Sequence, residues 1–415
     1  MYSVWPSTPQ PRDSLRVLVI SPYPIVPAVS GGRLRTFHLV QELLRRGHVV
    51  SNWVISPDDG AMDWPDEAAK PSFRRIPVRQ RIGVRRKLEA LMSRYPEGPW
   101  ECPPPACLAS TADRFDVAVL SHGHVGRFAG PLLASGTPVV YDAQNVESEI
   151  VRRLAPLALT RLSGMRFRLD VWKYRNFEAA VVRQASLVTA VSERDAAQLR
   201  KLAPSARIEL LPSGADIRGV QFVDHRENRS NILIFVGTLG YLPNRDAVNW
   251  LVDRILPLVR SRRPKVTARL VGSSPPNALG ALHGSGVELV GQVPDVRPEL
   301  AAADLFVAPL RAGGGTRLKL LEAFAAGLPV VATSTAAEGL DAVDGIHLAI
   351  ADDEEAFADA IVDLLDDGAK RDGMARAARH LVEEHYDWAA IGERFASLLR
   401  EVVMSRQGSN AAAQR

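Results

Sequence analysis

A chain of 415 residues is long enough for two domains with a core each, and 46% apolar with 24% charged residues excludes a disordered or fibrous protein. A net charge of +4 gives no argument for nucleic acid as a partner, and the two cysteines, Cys102 and Cys107 in CPPPAC, suit neither a disulfide scaffold nor a zinc site. No basic-then-apolar leader opens the sequence and no run of about 18 apolar residues interrupts it, so a cytoplasmic protein is expected.

In chain order, β-branched runs ending in turn residues alternate with amphipathic segments, the pattern of parallel sheets joined by crossover helices. The first unit is LRVLVIS (15–21), a loop holding Gly31 and Gly32, a helix through LRTFHLVQELLRRG, and a strand near VVSNWVIS. Strands are then predicted at FDVAVLS (115–121), PVVYDA (138–143), LVTAVS (187–192) and IELLPSG (208–214). A polar stretch, 215–231, reads as a linker. The alternation restarts with ILIFVGTL (232–239), a helix over 245–263, and strands at 266–273, 287–293, 305–310 and 329–334, with a helix from about 316 to 326 before the last. Two doubly wound α/β domains follow, 1–214 and 232–385.

Doubly wound sheets bind ligands at the carboxyl ends of their strands, so two of them facing each other place a cleft between. The loop GGGTRLKLLEA lies at such an end: Gly313, Gly314 and Gly315 let a phosphate approach the backbone, Thr316 is a helix cap, and the helix N-terminus favours an anion. Lys319 and Glu322, three apart, share a helical face, with Leu320 and Phe324 on the opposite one. Two readings stay open on residue chemistry alone. The pair is a surface ion pair beside a flexible turn, or Lys319 and Arg317 meet a diphosphate while Glu322 accepts from a ribose diol.

PLRAGGGTRLKLLEAFAAGLPVVATSTAAEGL resembles the nucleotide-sugar-binding segment of the GT-B glycosyltransferases of family 4, and FVGTLGYLPNRDAVNWLVDRILPLV (235–259) resembles the start of that family's second domain. YDAQNVES (141–148) is similar to a first-domain segment of a bacterial branch. The resemblance implies a GT-B architecture, two Rossmann-like domains across a cleft. It also implies retaining transfer of a sugar from a nucleoside diphosphate to an acceptor on the first domain, with no cofactor. It places Glu322 on the donor ribose, the 313–316 loop and Gly237–Thr238 against the donor, and Gly31 and Gly32 near its phosphate. Two departures stand out: a glutamate common eight positions before Glu322 is Gly314 here, and the usual cations after FVG are missing, since Thr238 follows Gly237.

His122 and His124 in SHGHVG follow a strand, and the resemblance places a histidine near there, close to the reacting sugar. Which of the two faces the site is open. Asn145 and Glu147 are acceptor-side candidates, and Glu338 an alternative donor-orienting group. With Lys319, Arg317 and a helix N-terminus to balance the diphosphate, no metal is expected; the acidic pair at 352–353 lies in a helix start. Residues 70–94 hold nine Lys or Arg against Glu89 alone, and read either as contact with the anionic inner face of a membrane or as a solvated helix and loop. The helix predicted at 386–403 is expected to cross back onto the first domain, ahead of a disordered tail from 405. Two further functions remain open: a nucleotide-sugar 2-epimerase, and a non-catalytic homologue that activates a partner, for which the missing glutamate at Gly314 speaks.

Overall fold

The computed structural model describes residues 14–28, 30–56, 62–66, 69–77, 92–96, 104, 108, 114–154, 161–223, 230–273, 286–314 and 318–413. Among these, thirteen strands form two sheets, parallel throughout. The first takes β1 (Arg16–Ser21), β2 (Val49–Ile55), β3 (Ser72–Ile76), β4 (Val117–Ser121), β5 (Val139–Ala143), β6 (Leu187–Ala190) and β7 (Ile208–Leu210), in the order β3-β2-β1-β4-β5-β6-β7. The second takes β8 (Ile232–Val236), β9 (Thr267–Val271), β10 (Val287–Gly291), β11 (Leu305–Ala308), β12 (Val330–Ala332) and β13 (Ala349–Ile350), in the order β10-β9-β8-β11-β12-β13. In each sheet the order reverses beside the first strand, at β1/β4 and at β8/β11, which opens a crevice at that point.

The central strands are apolar because helices cover both of their faces: every residue of β4, β5 and β11 is buried. Helices stop where the chemistry stops them. Arg45 ends the Gly31–Arg45 helix just before Gly47, which turns at φ 78°. Ser192 and Asp353 cap the helices that follow them through their side-chain oxygens.

Two elements differ from expectation. Residues 72–76, within the basic segment, are an edge strand and not part of a helix and loop. Its Arg74 lies over the Trp53 ring at 4.7 Å, so that charge packs on an aromatic and keeps the sheet edge polar. Residues 78–91 of that segment lie outside the described residues. The last helix, Trp388–Ala413, runs past position 405, where the sequence suggests a tail.

That helix lies against the first domain: Arg46 Nη2 donates to the Ala389 carbonyl at 2.6 Å, and Arg394 pairs with Glu209 at 3.1 Å. The chain thus crosses between domains twice, at Gly214–Asp216 and at Tyr386–Trp388, and the crossings touch through the Ala215–Asp387 bridge. Within the stretch read as a linker, Ile217 and Val220 dock on the second domain through carbonyls that accept from Arg379.

Candidate active site

The carboxyl ends of both sheets face one cleft of about 930 Å³. From the second domain, Gly237, Thr238, Asn244, Gly314, Lys319 and Glu322 line it. From the first come Gly31, Gly32, His122, His124, Asn145 and Glu147. Eleven of the sequence-predicted site residues therefore share one space, though they come from segments up to 291 positions apart (31 to 322).

On the second domain, Lys319 and Glu322 stand one helical turn apart on the Leu318–Ala325 helix, while Leu320 and Phe324 are fully buried on its other side. Lys319 Nζ donates to Asn244 Oδ1 at 3.0 Å and sits 4.6 Å over the Phe235 ring. Gly237 allows this, because a Cβ there would stand 2.9 Å from Nζ. Burial pushes the Glu322 carboxyl up to about 7, against the pull of Lys319. No described residue donates a hydrogen bond to that carboxylate, which leaves both oxygens for a ligand. Gly315, Thr316 and Arg317 lie outside the described residues.

On the first domain, β4 ends at Ser121 and His122 turns away at φ 89°, a region that costs a non-glycine residue of order 1–3 kcal/mol and is found mostly at functional sites. His122 Nδ1 accepts from the His124 backbone N–H at 3.3 Å. Burial holds both imidazoles down to about 4, so at neutral pH His122 carries its hydrogen on Nε2, 3.2 Å from Glu147 Oε1. That contact is not a hydrogen bond, and Oε1 has no hydrogen-bond partner among the described residues. Burial also raises the Glu147 carboxyl, opposed by His124 and Asn145. Glu178 takes the backbone N–H groups of Glu147 and Ser148 at 2.7 and 3.2 Å, which pins the start of the Glu147–Leu154 helix at the cleft edge.

Below these groups lies a scaffold that sequence reasoning missed. Arg35, fully buried, pairs with Asp142 at 2.7 Å and donates to the carbonyls of Leu211 and Pro212. It ties the first helix, the end of β5 and the crossing segment together. Gly32 is packed so closely that a Cβ would stand 2.2 Å from the Tyr23 hydroxyl and 2.7 Å from Gln144 Oε1. Two arginines, Arg33 and Arg35, follow the glycine pair in the sequence, but nothing there marks Arg35 as the buried one or Asp142 as its partner.

The structure does not bring Glu338 or Gly313 to the cleft lining. Glu338 is ion-paired with Arg153 and Arg194 of the first domain, which removes it as a free donor-orienting carboxylate. Arg153 also donates to the Gly313 carbonyl at 3.0 Å. Ile150, one turn before Arg153, fills the space over Gly314, where a Cβ would come within 2.6 Å of its Cγ1. The first domain's helix therefore covers Gly314 where a side chain would otherwise stand. Asp352 and Asp353 are spent on local bonds to Ser334 and Ala356, not on the cleft.

Residues 230–367 match the family model described as glycosyl transferases group 1, and residues 30–214 match the glycosyl transferase 4-like domain. Each of the two domains thus matches a glycosyltransferase family model, and the fold they form is of the GT-B type. The GDP-mannose-dependent monoacylated alpha-(1-6)-phosphatidylinositol monomannoside mannosyltransferase of Corynebacterium glutamicum is 30% identical over 221 residues, 46% of this chain and 56% of that protein. The match thus spans a little over half the length of that relative. Among solved structures, sucrose-phosphate synthase from Thermosynechococcus elongatus superposes with a TM-score of 0.74 at 19% identity, covering 94% of this chain and 100% of that one. Anabaena HepE in complex with UDP-glucose gives 0.68 at 17% identity, covering 93% and 100%. At such identities the structural likeness speaks for the GT-B fold.

Proposed function

We propose that this glycosyltransferase-type chain moves a hexosyl group from a nucleoside diphosphate sugar to an acceptor held by the first domain, with retention at the anomeric carbon. One observation carries the reading: an interdomain cleft sets a cation, Lys319, and a carboxylate with no hydrogen-bond donor among the described residues, Glu322, on the second domain opposite His122 and Glu147 on the first. Glu322 accepts from the ribose diol and Lys319 meets the diphosphate. In the transfer, the bond from the anomeric carbon to the diphosphate oxygen breaks and its electron pair leaves with the phosphate. The acceptor oxygen closes on the same face and gives its proton to the departing oxygen. A fixed cation beside the leaving group lowers such a barrier by several kcal/mol. The sugar nucleotide is the substrate, and neither cofactor nor metal belongs to the proposed reaction.

The relative's dependence on GDP-mannose and the UDP-glucose bound to HepE support these two sugar nucleotides as first donors to try. The phosphatidylinositol mannoside acceptor of the relative supports a lipid-linked acceptor, and hence a role in envelope or exopolysaccharide assembly at the cytoplasmic face of a membrane. No described helix is long and apolar enough to cross a membrane. Peripheral contact is supported by one exposed helical face, where Met165 (67% exposed) and Trp172 (61%) alternate with exposed Arg168 and Arg175 at helical spacing. The basic segment 70–94 is proposed to share that contact.

The rival reading, a non-catalytic homologue, draws on Gly314 and its cover by Ile150. Incubating the purified chain with a panel of nucleoside diphosphate sugars in excess EDTA separates the alternatives. Release of nucleoside diphosphate with one donor is expected. An epimerised nucleotide sugar, turnover only after magnesium or manganese is restored, or no turnover with any donor and acceptor would each overturn the proposal.

A further inference from the structure

Besides Arg297, the second domain brings an ammonium to the cleft, and it comes from a helix and not from the loop after β8. The loop after β8 offers Thr238 and Leu239, neither of them charged, and the ammonium comes instead from Lys319 on the Leu318–Ala325 helix. A lysine side chain has four rotatable bonds and a strongly hydrated head, so a lysine that must meet a diphosphate at one place needs something to hold it there.

The β8 unit supplies that hold. Asn244, 8% exposed, stands in the first turn of the helix Leu242–Trp250, which Pro243 opens. Its Nδ2 donates to the Thr238 carbonyl at 2.9 Å, and its Oδ1 accepts from Lys319 Nζ at 3.0 Å. The amide orientation is fixed by its partners, since a carbonyl can only accept and an ammonium can only donate. Phe235 lies under the ammonium at 4.6 Å, and Gly237 leaves out the Cβ that would stand 2.9 Å from both Nζ and Nδ2. Phe235, Gly237 and Asn244 thus form a seat for a lysine 75 positions away, open on the cleft side that all of Gly237, Asn244 and Lys319 line.

We infer that Asn244 is the positioning residue of the donor site: it aims the Lys319 ammonium at the substrate's diphosphate and so sets donor affinity. The inference rests on the donor reading proposed above. Asn244 remains neutral, so it orients the lysine without cancelling the charge that the diphosphate needs; an aspartate in its place would do both.

The test uses the full chain and the tightest binder among GDP, UDP, ADP, CDP and dTDP, with dissociation constants from calorimetry for the wild type, Asn244→Ala, Lys319→Ala, the double variant and Asn244→Asp. Asn244→Ala and Lys319→Ala are each expected to weaken binding about tenfold, and the double variant no more than Lys319→Ala alone, because both remove one interaction. Asn244→Asp should weaken it at least as much as Asn244→Ala, through the neutralised ammonium, and keeps the inference testable if the alanine variant does not fold. Losses that simply add in the double variant, or wild-type affinity in Asn244→Asp, would overturn the positioning role. A wild type that binds none of the five nucleotides would overturn the donor reading itself.

Discussion

Glu322→Gln isolates the group on which the donor reading depends most. The carboxyl sits on the Leu318–Ala325 helix, and burial lifts it to about 7 although Lys319 pulls the other way. Only the ionised form accepts both hydrogens of a ribose diol. About one pH unit below its pKa roughly a tenth of the carboxyl is ionised, which weakens binding about tenfold, or about 1.4 kcal/mol. Sugar nucleotide affinity should therefore be about tenfold lower near pH 6 than near pH 8. A sugar nucleotide serves better here than a free diphosphate, whose terminal phosphate titrates in the same range. Glu322→Gln should bind about 1.5–3 kcal/mol more weakly at the higher pH and lose the pH dependence, since the amide has no charge to gain. Calorimetry across this range reads both effects. Affinity that is flat with pH in the wild type, or a slope that survives in Glu322→Gln, would refute the reasoning.

Other expectations follow from the same geometry. His38, His122 and His124 are each held down to about 4 by burial, against about 6.5 when unfolded, so the stability they contribute is whole above about pH 6.5 and is lost as pH falls toward 4. Thermal melts should drop steeply over that window, by at most about 3 kcal/mol per histidine, and His124→Gln should flatten part of the drop; melting temperatures that hold steady from pH 6.5 to 4.5 would contradict it. Gly314→Ala places a Cβ against Ile150 and should cut turnover about tenfold, with the added change Ile150→Ala restoring part of it; an undiminished Gly314→Ala would show that the close cover over Gly314 is not needed. Replacing Arg168 and Arg175 with Gln should weaken sedimentation with anionic vesicles at low salt by about 1 kcal/mol per charge, and Trp172→Ala should weaken it further. Equal binding to neutral vesicles would count against a charge-driven contact.

The alternation of apolar strands with amphipathic helices was enough to read two parallel sheets, because strands covered on both faces, such as Leu305–Ala308, have no polar side to confuse the period. Ser72–Ile76 was not legible: two adjacent arginines break the pattern, and the pairing with Val49–Ile55 and the Trp53 ring beneath Arg74 are not local in sequence. At the site, Lys319 and Glu322 could be placed together because three residues along a helix is a local relation. The seat of Lys319 is not local. Asn244 reaches it across 75 positions, and Arg35 reaches Asp142 across 107, with no period or motif to link either pair. Glu338 shows the opposite failure: its place after a strand suggested the donor, while Arg153 and Arg194 of the other domain claim it for the interface.

The most direct test of the central claim is the structure of the chain with an unhydrolysed nucleoside diphosphate sugar bound, obtained in EDTA. The ribose diol is expected on the Glu322 carboxylate, the diphosphate within hydrogen-bond reach of Lys319 Nζ, and the hexosyl group turned toward His122 and Glu147. A nucleotide bound outside this cleft, or one whose diphosphate lies away from Lys319, would contradict the account.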